Sequence, residues 1–223
     1  PTPEFEGSDT LEDNNIGRIR NAINIPYDQF SKRIGEIEMY KNKTVLVYDY
    51  NGAQSHHAAL LLTEKGFTKV QNLLGGMRAM IGKETPTLKT RKKILTNMPD
   101  FNLLNASEAV ALINKNKNLV ILDVRPAEEF MNKSDKVWKN LGNIKKAVHV
   151  IPSDFTAKIP GLLPDKKAVI LIYGSLRSID FCKKLKELGY ENVNYLYGGL
   201  WSLVSNSANL LKNEESKQVL ENN

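Results

Sequence analysis

The stretch Thr44-Val45-Leu46-Val47-Tyr48 returns 125 residues later as Val169-Ile170-Leu171-Ile172-Tyr173. Short apolar runs that are rich in branched side chains are typical of buried parallel strands. Each run is followed by a serine, Ser55 or Ser178, and serine is a favoured residue at the start of a helix. Apolar residues at helical spacing then lead to a glycine, which commonly ends a helix. The chain therefore carries the same predicted strand–loop–helix unit twice.

The repeat extends in both directions from this unit. Upstream, Pro1–Phe5 resembles Pro126–Phe130 at the same offset of 125 residues. Downstream, Leu74-Gly75-Gly76 matches Tyr197-Gly198-Gly199 at an offset of 123 residues. Two residues are thus missing from the second copy, in the loop between Tyr173 and Ser178.

The second copy also carries a predicted helix (107–114) and a predicted strand (119–124) before its matching stretch begins. The first copy has no counterpart to either. A central parallel strand is costly to omit, so we expect the sequence to be a fragment that lacks the first strand and helix of its first domain.

Strands that alternate with helices predict an α/β fold, because parallel sheets are covered by helices on both faces. We predict two domains, each a small parallel sheet flanked by helices. The expected bounds are 1–85 for the first domain, 86–101 for a basic linker, 102–204 for the second domain and 205–223 for a polar C-terminal tail.

Composition narrows the classes of function. The 223 residues have a net charge of +6, without an arginine-rich tract, so we do not expect nucleic-acid binding. Hydropathy predicts no membrane span in this sequence. The single cysteine, Cys182, excludes an internal disulfide and a multi-cysteine metal site. No cofactor is predicted. The lysine- and asparagine-rich composition suggests a bacterial source, and the cytoplasm and the periplasm both stay open.

Several stretches together resemble one known family. Leu122–Phe130 is similar to the opening signature of rhodanese domains, the thiosulfate sulfurtransferase family. Gly142–Val148 resembles the segment that follows it in the family, with Asn143 where histidine is usual, and Ile16–Pro26 resembles the same segment. The Gly-Gly pairs resemble the closing motif. The resemblance runs through nearly the whole chain, in order, twice.

The resemblance implies a particular chemistry in the loop after the strand that ends in tyrosine. That loop typically reads Tyr-Cys-x-x-Gly-x-Arg-Ser in the family. Its cysteine takes up a sulfane sulfur as a persulfide and passes it to an acceptor. Backbone N–H groups that converge on the sulfur, and the positive end of the following helix, stabilise the negative charge.

The first copy departs from this pattern at two positions. Its loop has the family length, but Asp49 stands at the cysteine position and Gln54 at the arginine position. A carboxylate cannot form a persulfide, although it can accept hydrogen bonds from the same N–H groups. We expect Asp49 to satisfy a vestigial anion cradle. The alternative is that it acts as a nucleophile or metal ligand, for which proximity to His56 or His57 would be relevant.

The second copy departs further. Gly174 stands at the cysteine position, and the loop is two residues short. Arg177 remains and could bind an anion at the helix start or pair with a surface carboxylate. Cys182 matches Ala59 in the body of the helix, on its apolar face, and a buried cysteine there is usually inert.

We therefore predict no catalytic residue and no metal ligand, with Asp49 and Gly174 as vestigial loop positions. The candidate anion-binding residues are Asn51, Gly52, Ala53, Gln54, Ser55, Arg177 and Ser178. The expected function is that of a non-catalytic binding or scaffold module, whose partner is an unknown protein or a small anion. The alternatives are a sulfurtransferase and a phosphatase-like hydrolase. The latter also requires cysteine and arginine in one loop, and neither loop has both.

Overall fold

The computed structural model describes residues 1–10, 14–83, 86–174, 178–208 and 218–221. The chain divides into two compact units. Unit 1 comprises residues 1–81 and 89–99, and unit 2 comprises residues 82–88 and 100–223. In the described ranges, no helix combines the length and apolar character needed to cross a bilayer.

In the described part of the chain, unit 1 contains helices and four strands. In chain order, its elements are α1 (Thr2–Glu6), β1 (Arg18–Ile19), α2 (Tyr27–Arg33), a 3₁₀ helix (Ile34–Tyr40), β2 (Thr44–Val47), α3 (Ala53–Glu64), β3 (Lys69–Asn72), α4 (Gly76–Gly82), α5 (Leu88–Ile94) and β4 (Leu95–Thr96). Strands β2 and β3 pair in parallel, and β1 pairs with β4 in antiparallel fashion. The core beside the parallel pair includes Phe30, Ile37, Leu62 and Phe67.

Unit 2 contains a larger sheet. In chain order, its elements are β5 (Asn102–Leu104), α6 (Ala106–Lys115), β6 (Val120–Asp123), α7 (Ala127–Phe130), a 3₁₀ helix (Val137–Lys139), β7 (Asn143–Ile144), β8 (Val148–His149), a 3₁₀ helix (Pro152–Asp154), α8 (Phe155–Leu162), β9 (Val169–Tyr173), α9 (Ile179–Glu187), β10 (Asn192–Leu196), α10 (Gly199–Ala208) and β11 (Leu220–Glu221).

Five strands of unit 2 form one parallel sheet in the order β5-β10-β9-β6-β8. The central strand β9 is completely buried from Ile170 to Tyr173, as its run of branched residues predicts. Helix α6 begins at a capping box, in which the Asn105 side chain and Glu108 satisfy each other's backbone N–H groups. The predicted α/β class, with parallel strands flanked by helices, is confirmed.

The internal repeat is preserved down to individual hydrogen bonds. The Ile19 N–H donates to the Tyr48 hydroxyl at 3.2 Å, and 125 residues later the Ile144 N–H donates to the Tyr173 hydroxyl at 3.2 Å. Tyr48 directly follows β2 and Tyr173 ends β9, and each hydroxyl links its strand to the β1 or β7 segment. Two copies of one fold therefore carry the same internal tether.

The predicted basic linker (86–101) contains secondary structure. Helix α5 contains the buried Arg91, and β4 continues it to pair with β1. In unit 2, β11 pairs with β7 in the same way, and Leu95 and Leu220 differ by 125 positions. The predicted linker and tail thus each contain a short strand that pairs with an earlier strand of the same copy. Their charged composition gives no indication of these strands. The four domain bounds themselves stay predictions.

One predicted helix start is wrong. Helix α3 begins at Ala53, with Gly52 as its N-cap residue, so Ser55 lies inside the first turn. The Asp49 carboxylate accepts the N–H groups of Gln54 and Ser55 and thereby caps this helix in place of a serine hydroxyl. In the second copy, Ser178 is the N-cap residue of α9, as predicted.

Candidate functional site

The loop between β2 and α3 folds around the side chain of Asp49. Its carboxylate accepts backbone N–H groups from Gln54 at 2.6 Å and from Ser55 at 3.1 Å, and it also accepts the N–H of Gly52. Converging N–H groups at a helix start form a site for negative charge. Here the chain's own carboxylate occupies that site.

Glycines allow the loop to close this tightly. Gly52 has a φ of 90°, and a side chain on it would approach the backbone nitrogen of Gly75 to 2.7 Å. A side chain on Gly76 would overlap the carbonyl oxygen of Asp49. The Met77 N–H donates to that same carbonyl at 3.0 Å. The Gly-Gly pair thus allows the start of α4 to pack against the backbone of the loop and to hydrogen-bond with it. The sequence motif alone does not reveal this role.

The other candidate residues of the first loop have separate positions. The Ala53 N–H donates to the Asn51 side chain at 3.0 Å. The side chain of Gln54, at the position of the family arginine, is exposed. The structure therefore gathers the backbone of 51–55 around Asp49 and directs the Gln54 side chain to solvent. Within the described ranges, no cluster of three or more His, Cys, Asp or Glu residues could hold a metal ion.

In the second copy, buried side chains occupy the space beside Gly174 where a cysteine side chain would lie. A Cβ atom on Gly174 would overlap the Ser178 hydroxyl and would lie 2.8 Å from a methyl carbon of Val124. Ser178 is 2% exposed and Val124 is 3% exposed, so neither has free space to move into. The candidate Arg177 lies outside the described residues. At Gly174 the fold therefore has no volume for a cysteine side chain.

Gly174→Cys is expected to destabilise unit 2 by about 1–3 kcal/mol, because the added side chain overpacks a filled site. It should not confer sulfur transfer. Urea denaturation of Gly174→Cys and of the thiol-free Gly174→Ala would measure the effect, and both should show a similar loss. Gly161→Ala is the matched control, because a Cβ there meets nothing within 4 Å. An unchanged denaturation midpoint in Gly174→Cys would contradict this account of the loop.

The chain's single cysteine is buried and belongs to neither loop. Cys182 lies in α9 with an exposure of 0%. It faces the interior together with Ile179 and Leu185 of the same helix. A thiol without solvent access cannot meet a sulfur donor unless the helix unfolds.

A buried ion pair follows β6 in unit 2. Arg125 is 2% exposed, and its guanidinium donates to Asp123 at 2.7 Å and to the Gly142 carbonyl at 2.9 Å. Burial alone would lower the pKa of Arg125, but the hydrogen bond and charge of Asp123 outweigh it and raise that pKa. Burial, followed by the charge of Asp123, also raises the pKa of Tyr173. Asp123, Arg125 and Tyr173 thus form a buried cluster at the ends of β6 and β9.

Unit 1 has a cavity of about 120 Å³ next to Asp49. Tyr48 and Arg18 line it, together with apolar side chains that include Ile16 and Ile25. Burial raises the pKa of Tyr48, so its phenol stays protonated and can accept the Ile19 N–H. Sequence reasoning missed this cavity.

Comparison with known proteins yields a consistent set of similarities. The family model described as "Rhodanese-like domain" matches residues 2–83 and 105–205. "Putative sulfurtransferase YtwF" of Bacillus subtilis is 33% identical over 88 residues, which are 40% of this chain and 76% of that protein. "Thiosulfate sulfurtransferase PspE" of Escherichia coli is 42% identical over 60 residues, 27% of this chain and 57% of that protein.

A relative without an assigned function and a solved structure are also similar to this chain. "Uncharacterized protein YibN" of Escherichia coli is 34% identical over 74 residues, or 33% of this chain, and the matched part spans about half (52%) of that relative's length. Among solved structures, a thiosulfate sulfurtransferase from Pseudomonas aeruginosa is 21% identical, with a TM-score of 0.38, and the match covers 86% of this chain and 37% of that chain.

Proposed function

The chain belongs to the rhodanese-like domain family, whose domain it contains twice. We propose that it is a non-catalytic member of this family that acts as a binding or scaffold module. One observation carries the proposal. In the first copy the N–H cradle, where the family resemblance implies a sulfur-bearing cysteine, holds the carboxylate of Asp49. In the second copy the equivalent Gly174 has no side chain and no room for one.

The alternative function is sulfur transfer, as the names of the relatives YtwF and PspE suggest. It would require a thiol that can reach solvent. The sequence has one cysteine, and Cys182 is completely buried in α9. The Asp49 carboxylate cannot accept a sulfane sulfur, and Gly174 has no side chain to do so. These facts favour the non-catalytic role.

Of the two partner classes, a protein is favoured over a small anion. An anion that entered the first loop would have to displace Asp49, which already accepts three backbone N–H groups. It would also meet the negative charge of that carboxylate. The residues 51–55 therefore serve to hold the loop in shape, and binding takes place on the surface around it.

The proposal is tested by incubating the purified protein with thiosulfate and cyanide and following thiocyanate. We expect no thiocyanate above the background of a protein-free control, and the same result for Cys182→Ala. Turnover that disappears in Cys182→Ala would make the protein a sulfurtransferase and refute the proposal. Turnover that persists in Cys182→Ala, in protein repurified to constant specific activity, would refute it as well.

A further inference from the structure

The loop that joins α7 to β7 in unit 2 presents two large apolar side chains to solvent. Val137 is 79% exposed and Trp138 is 66% exposed, and they are neighbours on the single-turn 3₁₀ helix Val137–Lys139. Adjacent apolar side chains of this size on a surface are a mark of binding sites, and tryptophan is the residue that most often anchors a protein interface. We call residues 131–141 the tryptophan loop.

Hydrogen bonds within the tryptophan loop hold its shape. The Asn140 side chain accepts the Ser134 N–H at 2.9 Å and donates to the Ser134 carbonyl at 3.0 Å, so that it closes the loop around the 3₁₀ turn. At the base of the loop, the Asn132 side chain accepts the Gly142 N–H at 2.9 Å. Trp138 is therefore presented by a preorganised segment, which lowers the conformational entropy that binding would cost.

Lysines flank the exposed apolar pair. Residues 133–146 contain five lysines and one aspartate, and so have a net charge of +4. Lys139 is paired with the buried Glu129. Lys133, Lys136 and Lys146 are exposed, and in the described ranges none of them takes part in an ion pair. Complementary charge selects partners and steers their approach, so this surface favours an acidic partner.

The first copy shows that the shared fold does not require this surface. Its counterpart at the offset of 125 residues is the stretch 6–16, which has the same length but contains four acidic residues and no lysine, arginine or tryptophan. The positions of Val137 and Trp138 are Glu12 and Asp13 there. Charged residues thus suit these positions in one copy of the fold, and the apolar pair with its lysines is particular to the second copy.

We propose that the tryptophan loop binds an acidic segment of a partner protein. An apolar side chain of that segment packs against Trp138, and its carboxylates meet Lys133 and Lys136. This inference deepens the proposed binding role, on which it rests, by naming the surface and the chemistry of the partner. A protein segment is favoured over an anionic bilayer because the exposed Asp135 stands between these two lysines in the chain. A bilayer of one charge would repel that carboxylate, whereas a peptide can donate N–H groups to it.

A display library of random peptides is the probe, because it assumes no partner in advance. Peptides would be selected on the immobilised full chain and counter-selected on Trp138→Ser. The most enriched peptide would then be synthesised with a fluorophore, and its affinity measured by fluorescence anisotropy. Trp201→Ser is the matched control, since Trp201 is 57% exposed in α10 and lies outside the tryptophan loop. Urea denaturation would verify that each variant is folded.

We expect the enriched peptides to combine several acidic residues with an apolar one. Binding of the synthesised peptide should weaken about tenfold or more in Trp138→Ser and stay unchanged in Trp201→Ser. The double variant Lys133→Glu with Lys136→Glu should weaken it by a similar factor. A second peptide, with lysine in place of each acidic residue, should bind this double variant better than the wild-type protein, which a purely structural role of the two lysines would not produce.

Selection that enriches no peptide dependent on Trp138 would overturn the inference, and so would enriched peptides without acidic residues. Two other occupants would also overturn it. One is a bilayer, if the wild-type protein but not Trp138→Ser sediments with phosphatidylserine vesicles. The other is a second copy, if the wild-type protein is a dimer and Trp138→Ser is a monomer. Because the selection involves no thiosulfate, its failure would leave the non-catalytic role standing, and thiocyanate production would refute that role whether or not peptides bind.

Discussion

Replacing Asp49 with cysteine is expected to give a protein that forms thiocyanate from thiosulfate and cyanide, whereas the proposed function predicts none for the wild-type chain. The N–H groups of Gly52, Gln54 and Ser55 already converge on the side chain at this position. A thiolate there would receive the same hydrogen bonds, which should lower the thiol pKa from about 8.5 to about 7 or below. The thiolate can then take the outer sulfur of thiosulfate, with release of sulfite, and pass that sulfur to cyanide.

The reactivity of the new thiol would be measured as the pH dependence of its alkylation rate, and transfer as thiocyanate formation. Asp49→Ser is the matched control, because it has nearly the same size but no thiol. Adding Gln54→Arg should raise the rate further, since it restores a cation beside the departing sulfite. A thiol in Asp49→Cys with an ordinary pKa and no thiocyanate formation would show that the cradle does not stabilise a sulfur anion.

The largest stability effect is expected for Arg125→Met. Removal of this cation leaves the carboxylate of Asp123 buried without its partner, and breaking such a pair typically costs about 3–5 kcal/mol. Asp123 is 0% exposed, so water cannot replace the lost hydrogen bonds. Urea denaturation should show an earlier transition for unit 2, with the transition of unit 1 unchanged.

Two controls separate this cause from a simple change in packing. The double variant Asp123→Leu with Arg125→Met should be more stable than Arg125→Met alone, because no buried charge is then left unpaired. Breaking the exposed Asp154–Lys158 pair by Lys158→Met should have no measurable effect. Equal stability of Arg125→Met and the wild-type protein would show that the pair does not support unit 2.

The repeat made much of the fold predictable. The branched runs that end in Tyr48 and Tyr173 indicated the central strands, and a helix after each loop followed from the spacing of apolar residues. Periodicity could not identify the closing strands β4 and β11, since each has two residues and lies in a charged segment. Their partners are distant in sequence, so only the tertiary structure reveals the pairing.

The site was predictable in part. The residue types at positions 49 and 174 already excluded a persulfide, and the family pattern placed N–H groups around them. Which N–H groups donate to the Asp49 carboxylate could be identified only from the structure. The position of the Ser178 side chain against Gly174 also needed the structure, because a two-residue deletion does not specify which side chain fills the space. Among the described residues, β2 has one strand partner where β9 has two, and this difference appears only when the strand pairings of the two copies are compared.

The most direct test of the central claim is the intact mass of the wild-type protein after incubation with thiosulfate, before any acceptor is added. The account predicts an unchanged mass, because neither Asp49 nor Gly174 can hold a sulfane sulfur and Cys182 is inaccessible. Asp49→Cys in the same experiment should gain the mass of one sulfur atom, which a thiol reductant removes. A sulfur adduct on the wild-type chain, mapped to Cys182, would contradict the account.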